Sequence, residues 1–211
     1  MTTVVVNSGL SNVRAIPNML ARLGVNTVVS GDPREIEKAG RIIMPGVGSF
    51  DAAVGRLRNM KLWEVLQKKV VDDGTPVLGI CLGMHLFADS SEEGALRGFG
   101  WIPGTVRRFS FEKEADRTHL KVPHMGWNLV KDRTDEPLLH GMGQEARFYF
   151  GHSFYYDCID ASHWVGETTY GFPFASMVRR GHIFGVQFHP EKSHRFGLTL
   201  LENFIACSSR V

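Results

Sequence analysis

The sequence is short of cysteine, of long apolar runs and of any imbalance of charge. Its three cysteines, Cys81, Cys158 and Cys207, are odd in number, and none belongs to a CxxC pair. A disulfide framework or a thiolate zinc site is therefore not expected. The 24 basic and 22 acidic residues nearly cancel, to a formal net charge of +2. Neither nucleic acid nor an anionic membrane is expected as the main partner. No apolar stretch approaches a membrane span. The run Val4–Val6 is too short for a secretory leader, and no cationic segment precedes it. Internal repeats, low-complexity tracts and linker-like stretches are absent as well. The expectation is a cytoplasmic protein, in a reducing compartment where a free thiol persists.

What is there is an ordinary globular composition over 211 residues, 43% hydrophobic and 22% charged. A chain of this length buries a core without disulfide or metal staples, and one domain over 1–211 is the simplest organisation. The first half alternates short apolar runs with helical patterns. Val4–Val6, Val25–Val29, Arg41–Met44 and Pro76–Ile80 read as strands, Val4–Val6 and Pro76–Ile80 as buried ones. Between them, Ile16, Met19, Leu20 and Leu23 share a helical face that Gly24 stops. Leu57 to Val71 and Leu82–Ala88 also read as helices. This order predicts an α/β fold with a doubly wound, mostly parallel sheet. In the second half, Thr105–Phe109, Leu120–Val122, Trp127–Val130, Arg147–Phe154, Trp164–Thr169, Phe174–Arg180 and His182–Phe188 are strand-like. They predict added mixed or antiparallel strands, before a final helix from about His194 to Ala206.

The sharpest local signal is Gly79-Ile80-Cys81-Leu82-Gly83, at the point where a buried strand turns abruptly into a helix. That is the pattern of a nucleophile elbow with cysteine in the serine place. Glycines two residues to either side suit a turn too tight for side chains. The turn forces Cys81 into a strained, exposed position at the carboxyl edge of the sheet. The start of a helix then favours the thiolate. A lone cysteine is more often a small buried hydrophobe, and Cys158 and Cys207 keep that reading.

A thiol nucleophile needs a base, and often a third group that orients the base. Among nine histidines, His189 is the best placed, in Gly185-Val186-Gln187-Phe188-His189-Pro190-Glu191 at the end of an apolar strand. Pro190 ends the ladder, and Glu191 can accept the second imidazole N–H, which fixes the tautomer. In isolation the motif would be only a surface turn. A third segment, Pro45-Gly46-Val47-Gly48-Ser49-Phe50, also follows a buried strand. Gly46 and Gly48 let a ligand approach the main chain, where peptide N–H groups can hold an oxyanion.

The order P-G-V-G, G-I-C-L-G-M and G-V-Q-F-H-P-E-K-S resembles the class I (triad) glutamine amidotransferases. Lys121 to Asn128, the run Phe150-Gly151-His152-Ser153-Phe154, and Ser90-Ser91-Glu92-Glu93-Gly94 narrow the likeness to the glutaminase subunit of imidazole glycerol phosphate synthase. The similarity runs from near Val4 to the last helix. It implies catalysis by Cys81, His189 and Glu191, with an oxyanion hole from the backbone of Val47, Gly48 and Leu82. It implies substrate contacts at Gly46, Gly48, His85, His152, Ser153 and Phe154. It also implies a heterodimer with a (β/α)8 barrel cyclase that receives ammonia through a channel. Asn12, Pro123, Met125, Trp127, Asn128 and Lys192 would lie towards that partner. No cofactor and no metal is expected.

Two single positions and one loop depart from the family pattern. His85 stands where a glutamine is usual, four residues after the nucleophile. The loop Asn7 to Asn12 reads Asn-Ser-Gly-Leu-Ser-Asn in place of Asp-Tyr-Gly-x-Gly-Asn, and Gly151 replaces a valine. Together they suggest a paralogue feeding a different acceptor, such as a sugar precursor being converted to an amidine. A free-standing γ-glutamyl-type cysteine hydrolase and a non-catalytic binding paralogue are the other readings.

Overall fold

In the computed structural model the described residues are 1–9, 14–111 and 120–207. The short apolar runs form strands covered on both faces: β1 (Thr3–Val6), β3 (Arg41–Gly46) and β4 (Val77–Cys81) are buried along most or all of their length. Helix-covered parallel strands have this character. β2 (Thr27–Ser30) is the half-buried edge. The first-half helices are α1 (Ala15–Arg22), α2 (Pro33–Glu37), α3 (Phe50–Asn59), α4 (Leu62–Gln67) and the single turn α5 (Leu82–His85). Then come β5 (Ser90–Ser91), β6 (Gly104–Arg108), β7 (His124–Leu129), β8 (Lys131–Asp132) and β9 (Arg147–His152). β10 (Phe154–Cys158), β11 (Trp164–Tyr170), β12 (Phe172–Arg180), β13 (Ile183–Val186) and α6 (His194–Cys207) complete the described chain.

The main sheet runs β2-β1-β3-β4-β13-β12-β10-β6-β5, with β11 against β12 and β8 against β11. From β2 to β13 the neighbours are parallel, and from β13 to β6 they are antiparallel. The fold is therefore α/β, with a parallel centre and added antiparallel strands. Alternate residues of one strand serve opposite cores, as the pleat requires. Val4 and Val6 join Ile36, Val54, Leu57 and Leu66 on one face, whereas Val5 joins Ile16, Leu20, Leu201 and Phe204 on the other. β7 and β9 form a separate antiparallel pair that roofs the carboxyl end.

Several elements differ from the sequence expectation. The helix expected from Leu57 to Val71 is broken near its start: Leu57 belongs to α3, and the rest is α4 continued by a π-helical turn over Lys68–Asp72. Lys61 takes a left-handed conformation (φ 57°) and its N–H closes α3 on Arg58. The helix after Cys81 ends at His85 rather than Ala88, because Phe87 and Ala88 bond three residues back, to Met84 and His85. The strand expected over Arg147–Phe154 divides at Ser153, with β9 on β7 and β10 in the main sheet. Leu120–Val122 forms no strand. α2, which carries no long apolar stripe, is started by Asp32, whose side chain accepts from the Arg34 N–H at 2.9 Å, with Pro33 at the first position. No helix of the described residues is long and apolar enough to cross a membrane.

Candidate active site

The three signal segments follow three adjacent parallel strands. Gly46 pairs with Cys81 across β3 and β4, and Val186 pairs with Ile80 across β13 and β4. Parallel neighbours end on the same side, so the glycine loop, the cysteine and the His-Pro-Glu turn meet at one carboxyl edge.

Cys81 ends β4 at φ 54°, ψ −112°. This is a sparsely populated conformation for a residue with a side chain, held by close packing around it. The elbow glycines have steric reasons. A Cβ on Gly83 would collide with the Met44 carbonyl oxygen, and one on Gly79 would lie 2.5 Å from the Phe87 ring and 2.7 Å from the Gly83 oxygen.

His189 follows β13, and its N–H donates to the Tyr149 carbonyl at 2.9 Å, which ties the turn to β9. Its Nδ1 lies 2.8 Å from Glu191 Oε1. With Nδ1 taken, Nε2 is the ring nitrogen left to act on Cys81. Burial opposes charge on this ring. The hydrogen bonds and charges of Cys81 and Glu191 outweigh it and push His189 up to about 10. Ser193, fully buried, braces the turn. Its Oγ donates to the His189 carbonyl at 2.6 Å and accepts from the Tyr149 N–H at 3.0 Å.

In front of Cys81 lies a cavity of about 280 Å³. Val47, Gly48, Leu82 and His85 line it from the sheet side, and His152, Ser153 and Phe154 from the opposite wall. Gly48 has φ 105° with open space around it, so this peptide has a freedom that a larger residue would lose. Gly46 lies beside this cavity, lining a second one of about 270 Å³ with Val47, His189, Glu191 and Lys192.

Two buried polar chains support the cavity. His85 Nε2 lies 2.7 Å from Gln187 Oε1, and Gln187 Nε2 lies 3.8 Å from Cys81 Sγ. In the other chain, His152 Nδ1 is 2.7 Å from the Phe154 carbonyl. A carbonyl only accepts, so this nitrogen carries the proton and His152 Nε2 accepts from His124 Nδ1 at 2.9 Å. His124 Nε2 then accepts from Asn128 at 3.2 Å. Burial pushes His85 and His124 down to about 4, and His152 well below its ordinary range. These three rings are neutral, whereas His189 is poised to be charged.

The residues expected towards a partner fall on and around β7. Pro123 and Met125 form a lip of the cavity. Met125, Trp127 and Leu129 alternate along one exposed face, and Trp127 stacks on His194 with centroids 5.5 Å apart. Lys192 Nζ lies 5.4 Å from the centre of the Tyr149 ring. Asn128 is on the opposite face, its amide engaged by His124 and the Thr169 carbonyl. Asn12 lies outside the described residues. Sequence reasoning passed over Gln187, Ser193, Leu129 and Glu93. Glu93 lines the cavity and accepts from the Phe50 N–H at 2.9 Å. Of these, Gln187 carried a signal, as a polar residue inside an otherwise apolar run.

The family model for glutamine amidotransferase class-I matches residues 4–207. The chain is 45% identical to imidazole glycerol phosphate synthase subunit HisH 2 of Methanococcus maripaludis, over 95% of this chain and 97% of the relative. It is 44% identical to the HisH subunit of that synthase from Bdellovibrio bacteriovorus, with the same coverage. A solved glutamine amidotransferase matches with a TM-score of 0.70 at 18% identity, covering 98% of each chain, a likeness of fold.

Proposed function

We propose that this chain, which belongs to the glutamine amidotransferase class-I family, is the glutamine-hydrolysing subunit of an imidazole glycerol phosphate synthase. The observation that carries the reading is the meeting of Cys81, His189 and Glu191 at one strand edge, in a chain whose near-full-length relatives bear that name. Cys81 attacks the side-chain amide carbon of glutamine, and the backbone N–H groups of Gly48 and Leu82 receive the oxyanion after the Val47–Gly48 peptide has turned towards it. His189, as imidazolium, protonates the leaving ammonia. It then takes a proton from the water that hydrolyses the glutamyl thioester, while Glu191 holds its tautomer. Gly46 shapes the oxyanion loop, and His85, His152, Ser153 and Phe154 surround the substrate.

The exposed apolar row Met125, Trp127 and Leu129, with Pro123 and Lys192 beside it, is the docking face for the synthase subunit; Asn128 supports this row from the opposite face of β7. That subunit is a (β/α)8 barrel cyclase, and the ammonia passes to it within a heterodimer. A cytoplasmic location accords with the free thiols of Cys81, Cys158 and Cys207. The test is glutamate release from glutamine by the chain with its cyclase, and formation of imidazole glycerol phosphate with glutamine as sole nitrogen source. Glutamate release without that product, in the presence of the cyclase, would move the chain to another acceptor.

A further inference from the structure

We propose that Gln187, held in one orientation by His85, donates a hydrogen bond to the Cys81 thiolate and so sets its reactivity. The proposal rests on the reading of Cys81 as nucleophile. Gln187 is fully buried, and its backbone N–H donates to the Ser176 carbonyl at 2.9 Å, which fixes its place after β13. A buried carboxamide has two distinguishable faces, and here each meets a titratable group. Oε1 lies 2.7 Å from His85 Nε2 and Nε2 lies 3.8 Å from Cys81 Sγ. An amide oxygen only accepts, so His85 must present N–H at Nε2. The amide nitrogen is thereby committed to the sulfur. Were the amide rotated by half a turn, a carbonyl oxygen would face the thiolate, which is repulsive. The bond between His85 Nε2 and Gln187 Oε1 holds the amide with its nitrogen towards the sulfur.

This assigns two residues that the triad does not use. Gln187 touches the reacting atom, and His85 is a positioning residue that acts through it. It also gives His85 work inside the protein as well as at the cavity wall. The other groups facing Cys81 are His189 with Glu191 behind it, and His152 and Glu93 across the cavity.

The test reads the thiolate without glutamine. The rate at which iodoacetamide alkylates Cys81, followed by peptide mass spectrometry, is measured against pH in the full chain. In Gln187→Met, which keeps the bulk and removes the donor, the profile should move to higher pH by about one unit, with alkylation at pH 7 slowed roughly tenfold. His85→Phe should move it the same way by less, and should add nothing in the Gln187→Met background. If Gln187→Met does not fold, Gln187→Asn keeps the amide but draws it out of reach of the sulfur, with the same expected shift. A wild-type profile in a folded Gln187 variant would overturn the proposal. An additive His85 effect would remove His85 from it. A wild-type protein whose Cys81 is no more reactive than Cys158 would instead overturn the nucleophile reading itself.

Discussion

Nδ1 of His189 lies 2.8 Å from Oε1 of Glu191, and both belong to the single turn that leaves β13. The contact is short in sequence because Pro190 fixes the backbone between them. It leaves Nε2 for Cys81, so that one ring spans acid partner and nucleophile. The same contact, with Cys81, keeps the ring protonated to about pH 10 despite its burial. Part of that support comes from Cys81, so it is lost once the sulfur bonds to the amide carbon, and the ring then gives its proton to the departing ammonia more readily.

The triad variants should therefore rank in a definite order. Cys81→Ala and His189→Ala should each lower the turnover of the complex by about 10⁶-fold, and Glu191→Gln by on the order of 10⁴-fold. Steady-state glutamate release measures all three. A Glu191→Gln variant with unchanged turnover would remove Glu191 from the mechanism.

Thiol chemistry should discriminate among the cysteines. Burial holds the Cys158 thiol up at about 12, with the nearby carboxylates of Asp157 and Asp160 adding to it. Cys81 has an imidazolium beside it and a cavity in front. A brief iodoacetamide pulse at pH 7, read by peptide mass spectrometry, should label Cys81 and leave Cys158 thiol intact. Prior acylation by a glutamine-analogue electrophile should protect Cys81.

Docking should both strengthen and activate. Met125 belongs at once to the cavity lip and to the exposed apolar row of β7, so a partner that covers the row also touches the cavity. The pure chain is expected to be a poor glutaminase. Converting a competent loop population from 1:99 to 99:1 takes about 5.5 kcal/mol of differential binding. Trp127→Ala, which deletes a half-exposed aromatic anchor, should weaken binding of the cyclase on the order of thirtyfold, as isothermal titration would record. High turnover by the chain alone would favour a free-standing hydrolase.

Much of this site could be read from residue order because its parts are local. Cys81 with its glycines, and His189 with Pro190 and Glu191, each form a motif of a few residues, and parallel topology brings their strand ends together. The contributions that escaped notice are long-range. Gln187 reaches His85 across 102 positions, and Ser193 reaches Tyr149 across 44. No spacing rule encodes such a pair. The break at Ser153 was hidden for a related reason: aromatic residues flank it on both sides, and only the partners tell the two strands apart, β7 for β9 and β6 with β12 for β10. The bound on α4 failed differently. Leu57 to Val71 keeps helical periodicity across Lys61, because a single left-handed residue restarts the helix without changing the apolar pattern.

His85→Gln should alter substrate binding and acid stability together. A glutamine at 85 retains an N–H that can reach Gln187 Oε1, so the thiolate arrangement survives. It also offers the substrate cavity a carboxamide in place of a ring edge. The KM for glutamine should fall by up to roughly tenfold, the worth of about one neutral hydrogen bond, with kcat within a few-fold. The substitution also removes a titration. Burial depresses His85 from its ordinary 6.5 to about 4, although the bond to Gln187 works the other way. Between those values the unfolded chain binds a proton that the native chain refuses. Stability due to the neutral ring is thus fully present above pH 6.5 and is lost as the pH falls towards 4. The loss for this one group is about 3 kcal/mol over that window. Glutamine does not titrate, so the variant should lose correspondingly less than wild type on acidification. Urea unfolding at pH 7 and pH 4.5 measures the difference. Parallel pH dependence in the two proteins would mean that His85 is not held neutral, and the tautomer assigned to it would fail with it.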